Sequence, residues 1–117
     1  MLVDRQRTAA LGRDVSLRPG TQDRKVWADT FTGLYHLPPD GFPAPATVLD
    51  LGANIGLVSA HYMALWPEAH VVAVEMDDGC AALAAMNAPG ATVLACAVAS
   101  TPGARWYDPF APSDSFA

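Results

Sequence analysis

The run Val48-Leu49-Asp50-Leu51-Gly52-Ala53-Asn54-Ile55-Gly56 constrains this chain more than any other stretch. Residues of high β-propensity lead straight into Gly52, and a helical apolar period starts at Ile55, so the pattern predicts a buried strand, a glycine turn and a helix. Gly52 and Gly56 lack a Cβ, which lets the backbone N–H groups come against a ligand and lets the helix pack closely on its strand. In an open α/β sheet, ligands bind beyond the carboxyl ends of the strands. Asp50 therefore faces a crevice and is placed to hold an ammonium group, directly or through water. A turn whose glycines serve geometry alone is the plainer alternative.

A βαβαβ pattern follows from this start. The first strand, Thr47 to Leu51, leads to a helix expected from Ile55 to Trp66, with Ile55, Val58, Ser59, Tyr62, Leu65 and Trp66 on one side and Pro67 as its stop. His61 falls one step off that face and reads as solvated. The second strand, Val71 to Val74, is apolar at consecutive positions, as expected of a parallel strand covered on both faces. Glu75 closes it, about 20 residues past the turn, where a doubly wound fold places a carboxylate to accept both ribose hydroxyls. A carboxylate there has acceptors only, which suits a diol and repels a phosphate. Asp77 and Asp78 stand ready to cap a helix from Gly79 to Asn87, and Thr92 to Ala97 makes a third strand. The expected spatial order is 3-2-1, with right-handed crossovers. Thr101-Pro102-Gly103 reads as a turn, Arg105-Trp106-Tyr107 as a short strand, and Asp108 to Ala117 as a polar, prolyl tail.

The upstream part is less regular. Residues 1 to 13 mix charges with scattered apolar residues and suggest a frayed lead-in or a short helix. Val15 to Arg18 alternates like a strand, Pro19-Gly20 suits a type II turn, and Thr21 is placed as N-cap of a helix from Gln22 to about Thr32. Val26, Trp27, Thr30 and Phe31 form its apolar face. Gly33 to Leu37 is expected as a short strand or an extended arm, with Tyr35 and His36 as surface packing residues or, less simply, substrate contacts. Pro38 to Pro45 is a stiff prolyl connector. The chain divides into residues 1–46, an extension and connector, and residues 47–117, an incomplete ligand-binding domain.

Composition narrows the partners. The 117 residues fit one small domain, and a net charge of −5 without a Lys/Arg cluster argues against a nucleic-acid surface. No apolar run reaches the roughly 18 to 20 residues needed to span a membrane, and charges at Asp4, Arg5, Arg7, Arg13 and Arg18 interrupt the start, so the expected compartment is the cytoplasm, with no membrane partner. Cys80 and Cys96 sit in apolar surroundings without metal-binding spacing and read as buried free thiols.

Two stretches together, Leu17-Arg18-Pro19-Gly20-Thr21-Gln22-Asp23 and Val48 to Gly56, joined by Val74-Glu75 and the run from Cys96-Ala97-Val98-Ala99 to Gly103, resemble the FkbM-type family of S-adenosylmethionine-dependent methyltransferases. The resemblance covers about residues 14 to 110. It implies an α/β, Rossmann-like methyltransferase fold with helices on both faces of a seven-stranded sheet, here truncated after the third parallel strand and preceded by a strand-helix extension. It implies O-methylation of a small-molecule hydroxyl on a sugar or secondary metabolite. By the same resemblance Asp50 and Gly52 face the methionine end of S-adenosylmethionine, Asn54 and Gly56 shape the turn, Glu75 grips the ribose, and Met76 sets its thioether against adenine. No metal site is expected. Methyl transfer of this kind needs chiefly positioning, because the sulfonium is already activated.

The strands that supply most acceptor contacts in such an enzyme are missing from the pattern, so the sequence nominates no general base and the chain alone is expected to be inactive. An unpaired edge on the first strand is an expected route to self-association. Two alternatives remain open. A nicotinamide-dependent oxidoreductase half shares strand, turn, helix and distal acid, but Asn54 stands where its fingerprint wants a second glycine for the pyrophosphate. A truncated, non-catalytic fragment or interaction module is the other.

Overall fold

The parallel sheet forms where the sequence places it. In a computed structural model, which describes residues 1–104, β3 (Thr47–Leu51) pairs in parallel with β4 (His70–Val74), and β4 with β5 (Thr92–Leu94). The order β3-β4-β5 is the expected 3-2-1 arrangement. The strand expected at Arg105-Trp106-Tyr107 and the tail from Asp108 lie outside the described residues. Two further strands, β1 (Asp4–Thr8) and β2 (Arg13–Leu17), form a separate antiparallel hairpin joined through a 3-10 turn (Ala9–Leu11), and the described residues include three α-helices: α1 (Asp23–Phe31), α2 (Leu57–Leu65) and α3 (Asp78–Asn87).

The third parallel strand stops sooner than expected. Leu94 O accepts both the Glu75 N–H and the Cys96 N–H, and the second bond curls the chain back on itself and ends the ladder. Among the described residues, helices cover the sheet on one face only. Val71 and Ala73 are buried on the side where α2 and α3 pack, whereas Leu49 and Leu51 on the other side are 60% and 54% exposed. The consecutive apolar residues of β4 suggested helices on both faces. Within the described residues, both crossover helices lie on one side.

At its free side β3 is an edge strand among the described residues. Ala46 O accepts from His70 N, and Gly52 N donates to Val74 O. With a period of two, the even-numbered residues of β3 pair with β4, so Thr47, Leu49 and Leu51 direct their N–H and C=O groups away from it.

Helix α2 departs from its expected face. Leu57, Ser59, Ala60 and His61 are buried, while Leu65 is exposed. The cause is the turn before it: Asn54 (φ 52°) and Gly56 (φ 84°) are both left-handed, so helical counting begins at Leu57 and the stripe counted from Ile55 is displaced around the axis. Ile55 is fully buried as a turn residue.

The strand expected at Val15 to Arg18 is present as β2, but it pairs with β1 in a hairpin over residues 4–17, where residues 1 to 13 were expected as a frayed or helical lead-in. The strand signal there is hard to see because its period-two alternation in β1 is carried by polar residues, with Asp4, Gln6 and Thr8 inward and Arg5 and Arg7 outward. Thr8 is fully buried and accepts a hydrogen bond from Trp27 Nε1 at 2.9 Å. The hairpin is not an appendage. Val15 and Leu17 share one apolar core with Ile55, Leu57 and Leu83, and Val26, Trp27 and Phe31 of α1 pack against it. Gly33 to Leu37 forms no strand, so the segment from 32 to 46 is an irregular arm between α1 and β3. Cys80 and Cys96 are free thiols, yet Cys80 is only half-buried and Cys96 is exposed, because β5 ends before it. Among the described residues no helix is long and apolar enough to cross a membrane.

One buried ion pair fixes the entry to α1. Thr21 Oγ1 accepts from Asp23 N, although Gln22 holds the N-cap backbone position. Asp23 is 2% exposed and receives Arg18 Nε and Nη2 at 2.9 Å each, with the Arg18 N–H at 2.8 Å. Burial pushes its carboxyl up, but the Arg18 bonds and charge outweigh burial and hold it below the usual carboxylate value. A depressed folded value stabilises the fold above the ordinary carboxylate range, and that stability is lost as pH falls through the depressed value. Asp23→Ala leaves Arg18 without its partner and is expected to cost about 3 kcal/mol at pH 7. Urea unfolding checks this, with the deficit shrinking at acid pH.

Candidate functional site

The turn after β3 spends its backbone donors internally. Gly52 N and Ala53 N both donate to Val74 O (2.8 and 2.9 Å), Asn54 N donates to Glu75 Oε1 (2.7 Å), and Gly56 N donates to Ala53 O (2.9 Å). The sequence suggested N–H groups aimed at a ligand; these four are occupied within the fold. They fix the carboxyl ends of β3 and β4 to each other instead.

Glu75 is central to that arrangement. Its second oxygen, Oε2, accepts from Asp77 N at 2.8 Å, and Asp77 in turn caps α3 by accepting from Cys80 N at 2.9 Å. A carboxylate offers about four lone-pair sites, so two backbone donors leave acceptor capacity on both oxygens. Glu75 and Met76 line a pocket of about 300 Å³ together with Gly52, Val74, Cys96 and Val98.

A larger cleft of about 760 Å³ lies across the turn. Asp50, Gly52 and Asn54 line it from the β3 side, Tyr62 from α2, and Tyr35 and His36 from the arm. Leu51 and Gly52 line both cavities. A Cβ built on Gly52 meets no atom within 4 Å, and the residue's φ of 77° is one that side chains rarely adopt. The glycine therefore leaves open space where the two cavities meet. Gly56 has a different job: its Cβ would lie 2.7 Å from Ala84 Cα, so this glycine lets the start of α2 close on α3 and lines neither cavity.

Five of the six expected site residues thus border two adjoining cavities, and Gly56 supports them from behind. Ser59 was read as an apolar-face residue, and its chemistry was missed. Buried in α2, it donates from Oγ to Asp50 Oδ2 at 2.6 Å. Burial pushes the Asp50 carboxyl up, the Ser59 bond opposes that, and the charge of Glu75 adds to the rise.

His61 was expected in solvent but is 6% exposed, because the displaced face of α2 carries it inward. Its Nδ1 lies 2.8 Å from His36 Nε2, and Tyr62 donates from its hydroxyl to the His36 carbonyl at 2.6 Å. No local signal pairs residues 36 and 61; the contact depends on how the arm folds over α2. Among the described residues, no group of three or more His, Cys, Asp or Glu side chains is arranged to hold a metal.

No family model matches the chain, and no curated protein matches it either.

The raised Asp50 carboxyl gives a signed prediction. A folded value above the unfolded one favours the fold below the ordinary carboxylate range, and this advantage is lost as pH rises through the folded value. At pH 7 the charge of Asp50 therefore opposes folding. Asp50→Asn keeps an acceptor for Ser59 and removes the charge, so its melting temperature should exceed that of the parent at pH 7, with the gap closing as pH falls to about 4. Paired thermal melts across that range check it.

Proposed function

We propose that this chain forms the S-adenosylmethionine-binding part of a methyltransferase acting on the hydroxyl of a sugar or secondary metabolite, as its resemblance to the FkbM-type family implies. One observation carries the reading. Two carboxylates, Asp50 and Glu75, stand at or just beyond the carboxyl ends of adjacent parallel strands, on either side of open space at Gly52. That is the crevice where open α/β sheets take their ligands.

The donor set fits a ligand with a cationic end and a ribose. Asp50 offers a carboxylate to an ammonium group in the larger cleft, Glu75 keeps free acceptor sites for a diol beside the smaller pocket, and Met76 lies next to it with an apolar, polarisable side chain. The N–H groups of Gly52, Ala53, Asn54 and Gly56 bond to Val74 O, Glu75 and Ala53 O, so the glycine turn itself offers none of these four donors to a pyrophosphate, which weighs against a dinucleotide. When bound, S-adenosylmethionine supplies an activated methyl group. The chain's own share is to bind and orient it; the proposal assigns no general base.

Isothermal titration with S-adenosylhomocysteine and with NAD tests the reading. S-adenosylhomocysteine should bind more tightly than NAD, and Glu75→Ala should weaken it by about 1.5–3 kcal/mol, roughly tenfold to over a hundredfold in Kd. Gly52→Ala, which fills the junction of the cavities while leaving the Glu75 bonds in place, should weaken it as well. Melts of both unliganded variants separate lost binding from lost folding. Preference for NAD, or unchanged affinity in two folded variants, rejects the assignment.

A further inference from the structure

We propose that His36 and His61 form a pH-operated latch, which holds the 32–46 arm against α2 as a wall of the larger cleft and releases it when the pair takes up a proton. The latch stands on the geometry of the pair. Only its effect on ligand affinity rests on the function proposed above.

The arm is held at a few points. His36 joins His61 through Nε2 and Nδ1 at 2.8 Å, Tyr62 donates to the His36 carbonyl at 2.6 Å, and the Phe42 ring lies 6.3 Å from that of Trp66. Apart from a turn bond from Leu37 N to Leu34 O and another from Phe42 N to Pro39 O, the arm has no ladder of its own. Tyr35 and His36 thereby line the cleft opposite Asp50.

The proton count of the pair makes the contact conditional. Two neutral imidazoles in this contact share one bridging proton and carry one more, which sits either on His36 Nδ1 or on His61 Nε2. His36 Nδ1 is buried and has no hydrogen-bond partner among the described residues. The favoured neutral state therefore has His36 donating from Nε2 to His61 Nδ1, with a bare lone pair at His36 Nδ1. A third proton must occupy that same Nδ1. It creates a buried cationic N–H with no acceptor, which is among the costlier groups a fold can hold.

The surroundings offer no relief. From α1 the Phe31 ring lies 5.3 Å from His61; from the arm and α2, Tyr35 and Tyr62 each have ring centroids 5.4 Å from that of His36. The carboxylates lining the cleft are Asp29, which is bonded to Lys25, and Asp50, which accepts from Ser59. Their charges bear on Tyr35 and, for Asp50, on Tyr62, while burial lowers both histidines and each gains nothing from a carboxylate. A lowered folded value means the latched state is fully favoured above the ordinary histidine range and loses ground as pH falls through it. Opening lets both rings ionise in water.

Amide hydrogen exchange of the full chain, followed by NMR from pH 7.5 to 5 and corrected for intrinsic exchange, tests the latch. Exchange at Leu37, whose N–H is bonded to Leu34 O, is expected to accelerate as pH falls, approaching tenfold per pH unit for one proton taken up, while β3 and β4 stay protected. His36→Gln, which removes the buried Nδ1, should abolish that pH response, and His36→Asn serves the same purpose if the first variant fails to fold. Titration of both imidazoles with no change at Leu37, or the same acceleration in a folded variant, overturns the proposal. The affinity for S-adenosylhomocysteine, measured at both ends of the range, should fall with the arm's release. An arm that opens in a protein that binds none of it at either pH upholds the latch and removes the ligand reading alone.

Discussion

The Glu75 carboxylate is the interaction on which the rest of the site depends. By accepting from Asn54 N and Asp77 N it ties the loop after β3 to the loop after β4, and through Asp77 it reaches the start of α3. Two helix entries and two strand ends are thus fixed by one side chain. Charge-assisted bonds to backbone N–H groups are among the stronger neutral-to-ion contacts, and both oxygens retain sites for a ligand. The same group organises the turn and remains available to a diol.

A second polar residue joins the hairpin to this centre. Asn87, 1% exposed, accepts from Ser16 N through Oδ1 and donates through Nδ2 to Ser16 O and Ile55 O, while Arg13 Nη2 donates to its carbonyl. One amide thereby links β2, the glycine turn and the end of α3. Together with Val15 and Leu17 in the shared core, this makes residues 4–17 part of the packing that holds Ile55, and hence the turn, in place. The arm is the contrasting element, with few contacts and one of them dependent on protonation.

How much of this was legible follows from the range over which each signal acts. Strand β3 and the order of the parallel sheet were readable because consecutive apolar residues, glycines and caps are local patterns. The site residues Asp50, Gly52 and Glu75 could be named because a strand's carboxyl end is fixed once the strand is found, whereas Asn54 and Met76 came only from the family resemblance; the role of all five as ligand contacts remains the proposal. The phase of α2 was misread, since two left-handed residues before Leu57 shifted it and carried His61 inward. Strand β2 was legible from the alternation of Val15 and Leu17, but its partner β1 was missed because the inward positions of β1 are polar and become favourable only against distant partners, such as Trp27 on Thr8. The assumption that the turn aims its N–H groups outward failed for a related reason: the competing acceptors, Val74 O and Glu75, become neighbours only when β4 pairs with β3.

The central claim is that the two cavities meeting at Gly52 bind one extended ligand with a cationic end and a ribose. A two-dimensional amide NMR titration with S-adenosylhomocysteine addresses it residue by residue. The account predicts saturable shifts that follow one binding curve at Gly52 and Asn54 on one side and at Met76 and Cys96 on the other, with Arg5 and Lys25 unmoved. Shifts confined to one cavity, shifts spread over the whole chain, or none at all would contradict it.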